Sequence, residues 1–195
     1  MDKFIKQSEP ERITPPIPGL TLITNFITPK EEQSLIKTIC QQEWNRSLKR
    51  YTQHYGYEYI YTQRRIDESN YLGPLPDWFD FLLERISSWE LLEKNPQQAI
   101  INRYLPGEGI SSHIDSSVFG SQICSLSLGS SCEFIFKQPG EDPIPIYLKP
   151  RTLLIMSGES RYEWSHGIPN RKYDIVKGTK IERSTRYSIT FRTIA

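Results

Sequence analysis

Cysteine is scarce in this chain and badly placed for either of its common structural uses. Only Cys40, Cys124 and Cys132 occur. Their number is odd and no CxxC spacing appears, which argues against a disulfide framework and against a cysteine-based zinc site. Long apolar runs are missing too, and nothing approaches the ~18 residues of a membrane-spanning helix. The opening Met1-Asp2-Lys3-Phe4-Ile5-Lys6 carries charges where a secretory leader would be apolar, so a cytoplasmic protein is expected. Neither sign of charge dominates: the net charge is +1, which speaks against a protein that coats nucleic acid non-specifically. Internal repeats and low-complexity tracts are absent. Histidine is also rare, with three residues in all, and two of them carry the most information in the chain.

What is present describes a folded domain. The 195 residues are 37% apolar and 12% aromatic, with eleven tyrosines, which suffices for one sizeable core and excludes a disordered or fibrous chain. Residues 1–18 are polar and proline-rich and read as an extended arm, leaving 19–195 as a single domain expected to act as a monomer. A short strand is expected over residues 20–26. Thr28-Pro29-Lys30-Glu31 reads as a helix start with a threonine cap, and Leu35, Ile36, Ile39 and Cys40 mark the apolar stripe behind it. A second helix is expected over residues 76–92, with Trp78, Phe79, Leu82, Ile86 and Trp89 on one face. Beyond Gln98 the pattern changes to short β-type segments at 99–104, 122–128, 133–136, 144–148, 152–156, 162–166 and 186–194, separated by turn residues. The fold class expected is α+β, mainly β: a double-sheet jelly roll with flanking N-terminal helices.

His113-Ile114-Asp115 supplies an imidazole and a carboxylate two residues apart, which a strand would aim from one face at a common point. His166 follows 51 residues after Asp115. Two histidines and one carboxylate make the three-ligand face of non-haem Fe(II) oxygenases, leaving the remaining octahedral positions open. Downstream, Arg186 and Arg192 offer guanidiniums suited to bidentate capture of a dicarboxylate.

These pieces, taken in order, resemble the AlkB family of iron(II)- and 2-oxoglutarate-dependent dioxygenases. The matching stretches are Asn102-Arg103-Tyr104, Pro106-Gly107-Glu108-Gly109-Ile110, His113-Ile114-Asp115, Ser125-Leu126-Ser127-Leu128-Gly129, Trp164-Ser165-His166-Gly167 and the R-x5-R pair Arg186 and Arg192. An HxD alone is a weak signal; the ordered set is a strong one. The resemblance spans residues 20–191. It implies a jelly roll closed by a nucleotide-recognition lid at about residues 48–75. It also implies Fe(II) on His113, Asp115 and His166, and 2-oxoglutarate and O2 as cosubstrates. The distal carboxylate of 2-oxoglutarate would sit on Arg186 and Tyr104, with Asn102 and Arg192 near its C1 end. The bland alternatives are a hydrogen-bonded core histidine at His113, a turn carboxylate at Asp115, inward strand residues at Asn102 and Tyr104, and a surface arginine at position 192.

Substrate is signalled by the segment around residue 55. Tyr55, Tyr57, Tyr59 and Tyr61 recur with period two ahead of Arg64-Arg65. A tyrosine-rich strand face with basic residues at its end suits unpaired bases and phosphates; ordinary packing on the jelly roll is the other reading. Tyr55, Tyr57, Arg64 and Arg65 are thus the candidate substrate residues. From residue 161 onward there are eight arginines and lysines against three acidic residues, a stretch that could face phosphates or be an ordinary solvated surface. The run Met156-Ser157-Gly158-Glu159-Ser160-Arg161-Tyr162 and His54-Tyr55-Gly56-Tyr57 bring the resemblance nearest to the branch that hydroxylates a modified tRNA wobble uridine. That branch carries further RNA-recognition and methyltransferase domains for which 195 residues leave no room. The expected partner is therefore nucleic acid, RNA or tRNA ahead of single-stranded DNA, with no membrane. The alternatives are a DNA alkylation-repair demethylase, a dioxygenase acting on protein or lipid, and a catalytically silent nucleic-acid binding module.

Overall fold

A computed structural model describes residues 9–46, 50–59, 66 and 68–195. Two β-sheets face each other, and helices cover the outer face of the larger one. The larger sheet has seven strands in the order β1 (Glu11–Ile13), β2 (Leu20–Thr24), β9 (Leu153–Met156), β6 (Phe119–Gly129), β13 (Arg186–Ile194), β4 (Gln98–Tyr104), β3 (Tyr51–Tyr55). The smaller has four, in the order β5 (Ile110–His113), β10 (Ser165–Ile168), β7 (Cys132–Lys137), β8 (Ile144–Leu148). A separate hairpin joins β11 (Tyr173–Val176) to β12 (Thr179–Glu182). All these pairings are antiparallel, giving the double-sheet jelly roll expected from the strand pattern.

The central strand β13 shows how sequence sets the layers. In Arg186-Tyr187-Ser188-Ile189-Thr190-Phe191-Arg192, Tyr187, Ile189 and Phe191 belong to the core shared with the helices. Arg186, Ser188, Thr190 and Arg192 line a cavity between the sheets. Both sets are largely buried, so the period-two alternation separates an apolar face from a polar lining rather than an inside from an outside. Its neighbours repeat the scheme: Asn102 pairs with Ser188 and Tyr104 with Arg186 on β4, while Ser125 and Ser127 pair with Thr190 and Ser188 on β6.

The helical layer packs on the apolar face. Helix α1 (Pro29–Gln41) begins as its sequence predicts: Thr28 Oγ accepts from the Glu31 amide at 3.0 Å and the Glu31 carboxylate accepts from the Thr28 amide at 2.6 Å. Leu35 and Ile39 are buried beneath it with Phe79, Leu82 and Ile86. Cys40, read as part of that stripe, is exposed.

Several elements differ from expectation. The second helix is shorter: a 3-10 turn (Asp77–Phe79) leads into α2 (Asp80–Ser88), and Trp89 follows as its partly exposed cap. The N-terminal arm is not free over its whole length, since β1 pairs with β2 and Ile17 is 1% exposed. The strand expected over 162–166 is instead the short helix α3 (Gly158–Tyr162) followed by β10. The Ser160 hydroxyl explains the turn, accepting from the Ser157 amide at 3.1 Å and donating to the Ser157 carbonyl at 2.9 Å, a local bonding pattern that competes with a ladder.

Candidate metal and cosubstrate site

Strand β5 ends at His113, and β10 lies beside it so that His166 is its direct cross-strand partner. The two imidazoles stand 4.7 Å apart, centroid to centroid. Gly167 makes this approach possible, because a Cβ there would stand 2.7 Å from the Ile110 carbonyl oxygen and 2.9 Å from the Ser112 amide nitrogen. Asp115 does not sit on the strand as expected; it lies two residues beyond its end, in the loop before β6. The loop turns the carboxylate back to the histidines, and Asp115 Oδ2 is 3.3 Å from His166 Nε2. One donor atom from each of His113, Asp115 and His166 falls within 4.8 Å of the others, close enough for the three to converge on a single ion.

The electrostatics suit a cation. Burial pushes the Asp115 carboxyl upward, but Arg192, whose Nη2 donates to Asp115 Oδ1 at 2.5 Å, together with His166, holds it well below the usual carboxylate range. Burial, with His166 adding to it, lowers the His113 pKa, favouring the neutral form that ligates metal. His113 Nδ1 lies 2.9 Å from the Ser111 carbonyl. With the proton on Nδ1 that contact orients the ring and leaves Nε2 free. His166 stacks on Phe134 at 5.3 Å.

A cavity of about 990 Å³ opens over these residues, at the upper end of the size usual for small-molecule sites. The cosubstrate candidates meet inside it. Arg186 is 4% exposed, and its Nη2 donates to Ser127 Oγ at 2.8 Å. Its Nε and Nη1 are buried without a protein partner among the described residues, and Tyr104 lies under the guanidinium at 5.4 Å. A buried fork with two unanswered N–H directions fits a carboxylate, so the residues present suit 2-oxoglutarate. Asn102 also lines the cavity, with its Oδ1 accepting from Arg50 Nε at 2.6 Å. Arg192 is there too, bound to Asp115 and stacked 4.3 Å from the Phe119 ring. Sequence reasoning missed Arg50, which belongs to no pattern, and gave no role to Ser125, Ser127 and Thr190, whose place was readable from the alternation of β6 and β13.

The tyrosine segment departs further from expectation. Strand β3 stops at Tyr55, because Gly56 takes φ +76° and breaks the period. Tyr55 then faces the helices, edge-on to Trp78 at 5.6 Å and Phe79 at 5.5 Å, with its hydroxyl donating to Gln53 Oε1 at 3.1 Å. Burial pushes its pKa up to about 12. Tyr57 packs on Tyr71, rings 5.0 Å apart. Among the described tyrosines of the segment, Tyr59 reaches the cavity and lies 5.3 Å from Phe119. Tyr61, Arg64 and Arg65 lie outside the described residues. Tyr55→Ala is therefore expected to lower folding stability by about 2–3 kcal/mol through lost packing. In thermal melts and cosubstrate titrations, that loss should appear with 2-oxoglutarate affinity unchanged.

The basic C-terminal stretch is largely spent internally. Arg171 and Arg183 bind the buried Asp174, Lys180 pairs with Glu182, Arg186 and Arg192 line the cavity, and Arg161 is buried. Lys172 and Lys177 are what remains for a phosphate-facing surface, too little for the basic patch that the composition suggested.

A jelly roll with two histidines, a carboxylate and a buried arginine around one cavity defines an iron- and 2-oxoglutarate-dependent oxygenase. The family model described as the 2OG-Fe(II) oxygenase superfamily matches residues 19–192, and the chain belongs to that superfamily, on its AlkB side. It is 38% identical to the tRNA (carboxymethyluridine(34)-5-O)-methyltransferase alkbh8 of Xenopus tropicalis over 91% of this chain, although it spans 32% of that relative's length. It is 37% identical to the uncharacterized protein L905 of Acanthamoeba polyphaga mimivirus, over 90% of this chain and 85% of that one. The solved structure of OsALKBH1 shares the fold, with a TM-score of 0.70 at 16% identity, over 94% of this chain and 100% of the other. The enzyme is thus a dioxygenase using Fe(II), 2-oxoglutarate and O2. When bound, iron and 2-oxoglutarate supply the oxidising chemistry, the cosubstrate leaving as succinate and CO2 while a C–H bond of the substrate is hydroxylated.

Proposed function

We propose that this dioxygenase oxidises a nucleobase or its substituent in RNA, with an unpaired base of a tRNA anticodon loop as the favoured target, by hydroxylation or oxidative demethylation. The observation that carries this reading is the 38% identity, across nearly the whole chain, to part of a relative named as a tRNA (carboxymethyluridine(34)-5-O)-methyltransferase. In this reading His113, Asp115 and His166 hold the iron, and Arg186 with Tyr104 takes the distal carboxylate of 2-oxoglutarate. Arg192 and Asn102 stand at its other end. Tyr59 and Phe119 form an aromatic wall for the base, with Tyr57 nearer the surface. A loop base enters such a cavity without the unstacking cost that a duplex base incurs.

A direct assay presents the loaded enzyme with total tRNA, methylated single-stranded DNA and methylated duplex DNA, and follows nucleosides by mass spectrometry. Conversion of one tRNA nucleoside, exceeding any change in either DNA, is the expected result. Turnover confined to methylated DNA would make the protein an alkylation-repair demethylase. Turnover on none of the three, with robust turnover on a protein substrate, would remove the nucleic-acid reading altogether.

A further inference from the structure

The run at residues 156–162 is the part of the sequence pattern to which the site so far gives no role, and it contains a charge buried as deeply as Asp174, the two most enclosed among the described residues. Arg161 lies in α3 and is 1% exposed. No carboxylate pairs with it among the described residues. Its guanidinium instead donates only to main-chain carbonyls: Nη1 to Asp115 at 2.9 Å, Nη2 to Ser116 at 2.7 Å and Phe119 at 3.3 Å, and Nε to Gly120 at 3.3 Å. The four acceptors belong to one segment, which starts at the carboxylate of the metal site and runs through the loop into the first two residues of β6.

Burying a guanidinium without a counter-ion is costly, and an apolar side chain would fill the same space at less cost. What an apolar residue cannot do is fix four carbonyl directions at once. Arg161 does so from a position five residues before His166, in the segment that leads into β10. The two segments that carry Asp115 and His166 are therefore tied by one rigid fork. Arg192 grips the Asp115 carboxylate from β13, but nothing else described holds the Asp115 carbonyl.

We propose that Arg161 is a positioning residue that locks the backbone of Asp115 relative to His166, so that the metal site is formed before the metal arrives. This rests on the three-ligand reading of the site. A metal binding to a pre-formed site does not have to order the loop, so the fork contributes to affinity without touching the ion.

The test uses the full chain, free of metal, titrated calorimetrically with Mn(II). Arg161→Met should weaken Mn(II) binding at least tenfold. Arg161→Lys keeps the charge but not the fork, and should fall between Met and wild type. The comparison variant is Ile39→Ala, in the core under α1 and remote from the ligands; it lowers thermal stability but should leave Mn(II) affinity within twofold of wild type. Co(II)-loaded Arg161→Lys should show shifted ligand-field absorption, which a purely structural role would leave unchanged. Wild-type Mn(II) affinity in a folded Arg161→Met would overturn the proposal. Should that variant not fold, hydrogen exchange on the wild type decides. Slow exchange at residues 116–120, equal with and without Mn(II), supports a pre-formed loop, and protection arising only on metal addition refutes it. Unchanged Mn(II) binding in His166→Ala would instead show that the ligand assignment itself is wrong.

Discussion

Asp115→Ala abolishes succinate formation and leaves Mn(II) binding too weak to saturate the site; this is the largest effect expected from any single substitution here. The carboxylate does two things at once. It is the one anionic donor among three candidate ligands, and it is the counter-charge of Arg192, whose Nη2 reaches it at 2.5 Å. Removing it leaves the mostly buried Arg192 guanidinium without its ion-pair partner among the described residues, and any metal ion that still entered would meet that uncompensated positive charge. Breaking a buried pair on one side costs about 3–5 kcal/mol, and the lost metal–oxygen bond adds to this for the loaded enzyme. Asp115→Asn preserves the shape but not the charge and should lose turnover as well.

Because the Asp115 pKa is depressed in the fold, its contribution is present above the ordinary carboxylate range and is lost only as pH falls through the depressed value, in strong acid. It therefore does not titrate near neutrality. His113, lowered below its ordinary 6.5, stays neutral there and loses metal only as pH falls below the usual imidazole range. Mn(II) affinity should be flat from about pH 7 to 8 and should fall below about pH 6 as protons compete for the His113 imidazole. Succinate production from Asp115→Ala at the wild-type rate would show that the iron sits elsewhere.

How much of this was readable from sequence depends on which physical constraint each element obeys. The α1 start was legible because a capping box is local, a bond between residues three apart. The polar lining of β13 was legible because side chains alternate strictly along a strand. His113 and His166 meet because β5 and β10 pair, and their spacing within the ordered motif set pointed there. Asp115 was singled out for a partly mistaken reason, since a loop, not a strand, turns its carboxylate toward the histidines. Strand β5 was expected through His113 and Asp115 but ends at His113: Ile110-Ser111-Ser112-His113 has no apolar run to mark its bounds, and its bonding comes from β10, which is more than fifty residues away in sequence. The hairpin of β11 and β12 was missed for a similar reason, being held in part by Arg183 and Arg171 on Asp174 rather than by an apolar face. In the tyrosine segment a single glycine at φ +76° reset the phase, so that Tyr59 and not Tyr55 reaches the cavity. Arg50 could not have been anticipated, because its place depends on the pairing of β3 with β4 at the sheet edge.

Arg186 gives the second large effect, and it separates binding from stability. The guanidinium is buried opposite Tyr104 and Gly129, bonded to one serine hydroxyl, with Nε and Nη1 lacking protein partners among the described residues. Before the cosubstrate arrives, this charge is paid for by the rest of the fold. Arg186→Met removes an incompletely satisfied buried cation, so the variant without cosubstrate should melt at the same temperature as wild type or higher. Its affinity for 2-oxoglutarate should fall steeply, because loss of a desolvated charge-assisted pair costs roughly 2–5 kcal/mol, about 30- to several-thousand-fold in the dissociation constant. Arg186→Lys retains the charge but offers one donor head in place of a planar fork, so its affinity should lie between the two. Calorimetric titration of 2-oxoglutarate into the Mn(II)-loaded protein, with thermal melts of the same variants, measures both quantities. Binding by Arg186→Met as tight as wild type would place the distal carboxylate on another residue. Lower stability with unchanged binding would make Arg186 a structural arginine of β13.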